Sequence, residues 1–146
     1  MTEQLKKAID LLKSDRSITL AVVNHEETRL FTARGVKPLL ELTTATPELL
    51  EGASVADKVT GAASAFLLVQ GKAKELYTDV ISARAEELLK EHEIPYTAAL
   101  VVDRIVNRQG DGFCPMETAV QGIEDPKNAV KAISDKLTEL AKAGQK

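Results

Sequence analysis

The residues from Asn107 to Glu117, Asn-Arg-Gln-Gly-Asp-Gly-Phe-Cys-Pro-Met-Glu, gather much of the chemistry this chain could perform. Two glycines free the backbone there for left-handed conformations. Cys114 is the only cysteine, and it stands directly before Pro115, a residue suited to the first position of a helix. A thiol at a helix N-terminus feels the positive end of the macrodipole, and Arg108 would add to that effect. One expectation is therefore a nucleophilic or redox-sensitive thiol. The other is a small buried hydrophobe or a helix cap. A Cys–His nucleophile needs a base, yet His25 falls in a predicted turn and His92 at an exposed helix end. Glu117 is either the carboxylate of a capping arrangement or an ionised acceptor for a ligand.

Two further clusters carry charge. Asp57-Lys58 lies in an apolar run, where Asp57 caps a helix or orients a ligand. Lys58 snorkels to solvent, pairs with Asp57 or Glu117, or holds an anion. Arg34-Gly35-Val36-Lys37-Pro38 sets two cations around a glycine turn, which suits a phosphate or carboxylate as well as it suits a solvated turn. Gly110-Asp111-Gly112 is a weak phosphate-loop signal, and no Walker motif or complete Gly-x-Gly-x-x-Gly occurs.

The elements that must position these residues follow from periodicity. A helical stripe through Leu5, Ile9 and Leu12 spans about residues 2–15. Residues 18–24 and 28–33 form an antiparallel hairpin about the polar turn His25-Glu26-Glu27. Short helices are expected over 37–42 and from Thr46-Pro47, with Thr46 as cap. Ser54-Val55-Ala56-Asp57 has capping-box spacing, so a buried helix is predicted from Ser54 to about Val69. Gly61 inside it suggests close packing against another backbone. Residues 75–81 form a strand, 83–92 an amphipathic helix and 96–106 a strongly β-like run. A short helix follows from Pro115, and a last helix from Asp125-Pro126. A leading hairpin followed by alternating helices and strands predicts a single domain over 1–146, an α/β fold with a mixed sheet and helices on both faces. Its later strands are expected to be parallel and joined by right-handed crossovers.

Bulk properties narrow the function classes. The chain has 146 residues, 44% hydrophobic and 28% charged, with a formal net charge of −3, which argues against an electrostatically driven nucleic-acid binder. The first residues lack the apolar core of a signal peptide, and no segment is long enough to span a bilayer, so a cytoplasmic location is expected.

Three motifs in order, Arg34-Gly35-Val36-Lys37-Pro38-Leu39-Leu40, Ala56-Asp57-Lys58-Val59 with Gly61, and Asn107-Arg108 through Cys114-Pro115-Met116-Glu117, resemble the prokaryotic family of domain of unknown function 1893. The resemblance covers nearly the whole chain. It implies a three-layer α/β/α, cytidine-deaminase-like fold and no assigned activity. Zinc deaminases place a His or Cys, with a Glu two residues on, at one helix start and Pro-Cys-x-x-Cys at the next. Ala56-Asp57-Lys58 and Cys114-Pro115-Met116-Glu117 supply neither, so no zinc set and no cofactor is expected. The sequence leads to a polar pocket of Arg34, Lys37, Asp57, Lys58, Asn107, Arg108, Cys114 and Glu117 for a small anionic or nucleotide-like metabolite. A thiol enzyme, with Asp57, Lys58, Cys114 and Glu117 as candidate catalytic groups, is the alternative. So is a homo-oligomer or interaction module using the apolar helix or a sheet edge.

Overall fold

The structure, a computed structural model, describes residues 1–25, 27–33, 35–106 and 114–144. Its elements are α1 (Glu3–Ser14), β1 (Leu20–Val23), β2 (Thr28–Phe31), α2 (Lys37–Ala45), α3 (Pro47–Leu50), β3 (Ser54–Thr60), α4 (Ala62–Gln70), β4 (Glu75–Ser82), α5 (Ala83–Glu91), β5 (Tyr96–Val102), α6 (Pro115–Ala119) and α7 (Pro126–Gly144). The strands form one sheet in the order β2-β1-β3-β4-β5. β1 is antiparallel to both β2 and β3, whereas β3, β4 and β5 run parallel.

The hairpin and the parallel pair thus form as the sequence predicts, but the stretch from Ser54 is a correction. Ser54–Thr60 is the central strand, and the helix begins only at Ala62. The apolar run misleads because this strand is covered on both faces, and a doubly buried strand shows no alternation to separate it from a helix. Ser54 is therefore no capping residue; its hydroxyl donates to Glu75 Oε2 at 2.5 Å. Thr46 likewise makes no side-chain cap to the single turn of α3. β5 stops at Val102, four residues short of the expected end.

Two hydrophobic clusters lie on opposite faces of the sheet. Leu5, Ala8 and Leu12 of α1 pack with Ala21, Val23, Ala56 and Tyr77 on one face. On the other, Val55 and Leu76 meet Leu39, Phe66, Leu67, Leu88, Leu89, Met116 and Ile133 from the remaining helices. The result is a three-layer α/β/α arrangement with α1 alone on one side. Alanines and a single fully buried Phe66 let α4 sit deep in the thick layer, where seven of its residues are buried. That burial removes α4 as an interface for a partner chain, so the apolar-helix form of the oligomer expectation is withdrawn.

Candidate functional site

Because β1 is antiparallel to β3, its first residue, Leu20, lies opposite Asp57 in the sheet register. The turn that feeds β1 therefore reaches the same end of the sheet as the C-terminus of β3. Beside this end opens a cleft of about 950 Å³. Arg16 and Ser17 line it from the turn, Lys37 from the start of α2, and Asp57 and Lys58 from β3. Cys114 and Glu117 line it from α6, with Leu137 and Leu140 of α7 forming an apolar wall. In parallel α/β sheets, ligands commonly bind outside the C-terminal strand ends.

Asp57 is the most unusual ionisable group of the cleft. It is only 9% exposed, and burial pushes its carboxyl up to about 7. The backbone N–H groups of Lys58 and Val59 and the Thr60 hydroxyl oppose that rise, and the nearby charge of Asp79 reinforces it. Thr60 Oγ1 lies 3.5 Å from Asp57 Oδ2 and 3.0 Å from Thr78 Oγ1. Thr78 in turn donates to the carbonyl of Val80 at 2.9 Å. An even pleat would send residues 57 and 60 to opposite faces. Their contact shows that the end of β3 departs from that pleat, and Val59 between them is 45% exposed.

Lys58 pairs with neither Asp57 nor Glu117. Its ammonium donates to the carbonyl of Arg16, tying the turn after α1 to the end of β3. An ammonium has three donors, so this bond leaves it able to meet an anion in the cleft. Lys37 is exposed at the first position of α2.

Glu117 has a different task from the one its place in the sequence suggests. Its carboxylate does not reach back to its own helix but caps α4. Oε1 accepts from Ala62 N at 2.6 Å and Oε2 from Ala63 N at 3.0 Å. Two N–H groups at the start of α4, which a helix cannot satisfy internally, are thus filled from another element. Gly61 makes this possible: a Cβ there would lie 2.4 Å from Glu117 Oε1. The close approach expected at Gly61 is real, but the neighbour is a carboxylate and Gly61 precedes the helix. The start of α4 is therefore occupied, and an anion in the cleft would meet side-chain cations.

Cys114 is half-buried at the start of α6, makes no side-chain cap bond and packs against the core. His25 contacts Gln4, and His92 caps the C-terminus of α5; neither lines the cleft. Among the described residues, no group of three or more His, Cys, Asp or Glu is arranged to hold a metal ion. Arg34, Asn107 and Arg108 lie outside the described residues. Arg16, Thr60 and Thr78 were not singled out by the sequence. A cation in the turn before an antiparallel strand is the signal for Arg16, and it becomes legible only once β3 is recognised as that strand's partner.

A family model described as Domain of unknown function (DUF1893) matches residues 7–137. Among solved structures, the chain is similar to a DUF1893 family protein from Thermotoga maritima, with 24% identity and a TM-score of 0.84 over 93% of this chain and 91% of that one. No curated protein matches the chain.

Proposed function

We propose, from the premise that this chain belongs to the DUF1893 family, that its cleft binds a small anionic metabolite, with nucleotide-like molecules as the first class to test. The observation that carries this reading is a buried acid, Asp57, opening onto a cleft of ligand size whose other polar groups include Arg16, Lys37 and Lys58. Pockets of a few hundred to a thousand Å³ with few polar groups on apolar walls are the usual form of a metabolite site.

The charges favour an anion. Glu117 is engaged with the start of α4, so its negative charge is already met. Arg34 and Arg108 belong to the same proposal as further anion ligands, and Asn107 as a hydrogen-bonding group. Cys114 lines the wall, and Asp57 orients the bound group. A deaminase-like kinship fits this reading without zinc. The α/β/α layering, and the meeting of Asp57-Lys58 with the Cys114–Glu117 segment at one cleft, support it.

Thermal-shift screening with nucleotides, phosphorylated metabolites and small carboxylates tests the proposal. A ligand present at about a hundred times its Kd adds about 2.7 kcal/mol of stability, which raises Tm by several degrees. Lys58→Gln and Lys37→Gln should each weaken the effect about tenfold or more, as expected for a lost charge-assisted hydrogen bond. Stabilisation by none of these compounds, or stabilisation indifferent to both substitutions, contradicts the reading.

A further inference from the structure

We infer that the outer edge of β5 is a pairing surface for a second copy of this chain. Two β5 strands meet antiparallel about a twofold axis and join two five-stranded sheets into one. The inference is independent of the cleft and of any ligand in it.

The two edges of the sheet are built differently. β2, at one edge, is four residues long and carries Arg29, ion-paired with Glu27. A short, charged strand is a common guard against edge-to-edge pairing. β5, at the other edge, runs for seven residues, Tyr-Thr-Ala-Ala-Leu-Val-Val, with no charge, proline or glycine. Exposure shows where its cover is missing. Leu100 is 56% exposed and Val101 50%. Neighbours in a strand point to opposite faces, so a helix laid on either face would cover only one of them. Both are open because, among the described residues, β4 is the only strand beside β5. The backbone agrees. Leu76 N donates to the Pro95 carbonyl at 3.1 Å, which aims residue 95 and, by alternation, residue 97 at β4. The N–H and C=O groups of Tyr96 and Ala98 therefore point outward. A partner in that plane must bring an extended backbone of its own.

A second β5 meets that requirement. Antiparallel pairing of identical strands gives the isologous interface of a twofold dimer. Each copy carries a net charge of −3, yet uncharged residues face uncharged residues along the whole strand. The centre of the strand is Ala98-Ala99, so nothing bulky meets at the axis. The ends are complementary. Glu93 precedes β5 and Arg104 follows it, so antiparallel pairing brings Glu93 of one copy level with Arg104 of the other, at both ends. Arg104, 60% exposed beside Asp103, can meet a second carboxylate there. A single pair of strands makes a small interface, so the dimer is expected to be weak and to depend on concentration.

Sedimentation velocity from about 1 µM to about 500 µM tests the pairing, and the mass should rise from one chain to two. Leu100→Lys and Val101→Lys each put a charge at a half-exposed site that the monomer tolerates. Each should weaken the dimer at least about tenfold. Leu30→Lys, at a comparably exposed site on β2, should leave it unchanged. Hydrogen exchange read by NMR gives an independent measure. The amides of Tyr96 and Ala98 should slow as the dimer forms, and should exchange freely in both β5 variants at the same concentration. A chain that stays monomeric throughout overturns the inference. So does a dimer that survives both β5 substitutions, or one that yields to only one of them, since that pattern marks docking on a face. A dimer broken by Leu30→Lys, or one that leaves the Tyr96 and Ala98 amides unprotected, overturns it as well.

Discussion

At the scale of the residue, the burial of Asp57 makes the stability of the fold depend on pH. Its folded-state value of about 7 lies above the ordinary 3.8, so its favourable contribution is full below about pH 4. That contribution is lost as the pH rises through 7. Three units correspond to a ceiling of about 4 kcal/mol. Asp57→Asn should therefore gain stability on the wild-type protein steadily between pH 4 and pH 8, with little further change above that. Urea unfolding at several pH values measures this, and a difference that does not move with pH contradicts it. Several of the residues that line the cleft were legible from type and setting alone. Asp57 and Lys58 stood out as charges in an apolar run, and Cys114 and Glu117 as polar groups flanking a helix-starting proline. Thr60 and Thr78 were not legible, since they lie eighteen positions apart and their meeting depends on the β3–β4 register and an irregular pleat.

At the scale of the element, the junction of β3 and α4 is the part the sequence misplaced and the part that matters most. Periodicity fails where a strand is buried on both faces and runs straight into a buried helix. The only local marker of the boundary is Gly61. Glu117 then fastens this junction from fifty-five residues away. Removing it leaves two N–H groups at the start of α4 without partners, so Glu117→Ala should cost about 2–4 kcal/mol. Gly61→Ala should cost about 1–3 kcal/mol by driving a methyl group into the carboxylate. The pair should be strongly non-additive, because most of the Gly61→Ala penalty vanishes once the Glu117 carboxylate is gone. A double-mutant cycle in urea that returns simple additivity would refute this account of the glycine.

At the scale of the whole molecule, the sheet divides its work. α1 alone closes one face, held at its start by Thr2, whose hydroxyl accepts from Leu5 N and donates to the buried Glu75. The other helices build a thick layer with the cleft at one end. The α/β class, the leading hairpin and the parallel tail were all readable from the order of elements. The central strand β3 was not, and so neither was the end of the sheet at which Lys37, Asp57, Lys58 and Glu117 meet. Among the described residues, no helix is long and apolar enough to cross a membrane. The central claim is that the cleft beside Asp57 receives a small anionic metabolite. Nitrogen-15 NMR titration at pH 6.5 with a panel of nucleotides, sugar phosphates and small carboxylates tests it most directly. The account predicts that at least one compound shifts the amides of Ser17, Lys58, Val59 and Gly61 saturably, and that Lys58→Gln weakens this about tenfold. If no compound moves those amides, or Lys58→Gln leaves the affinity unchanged, the claim is contradicted.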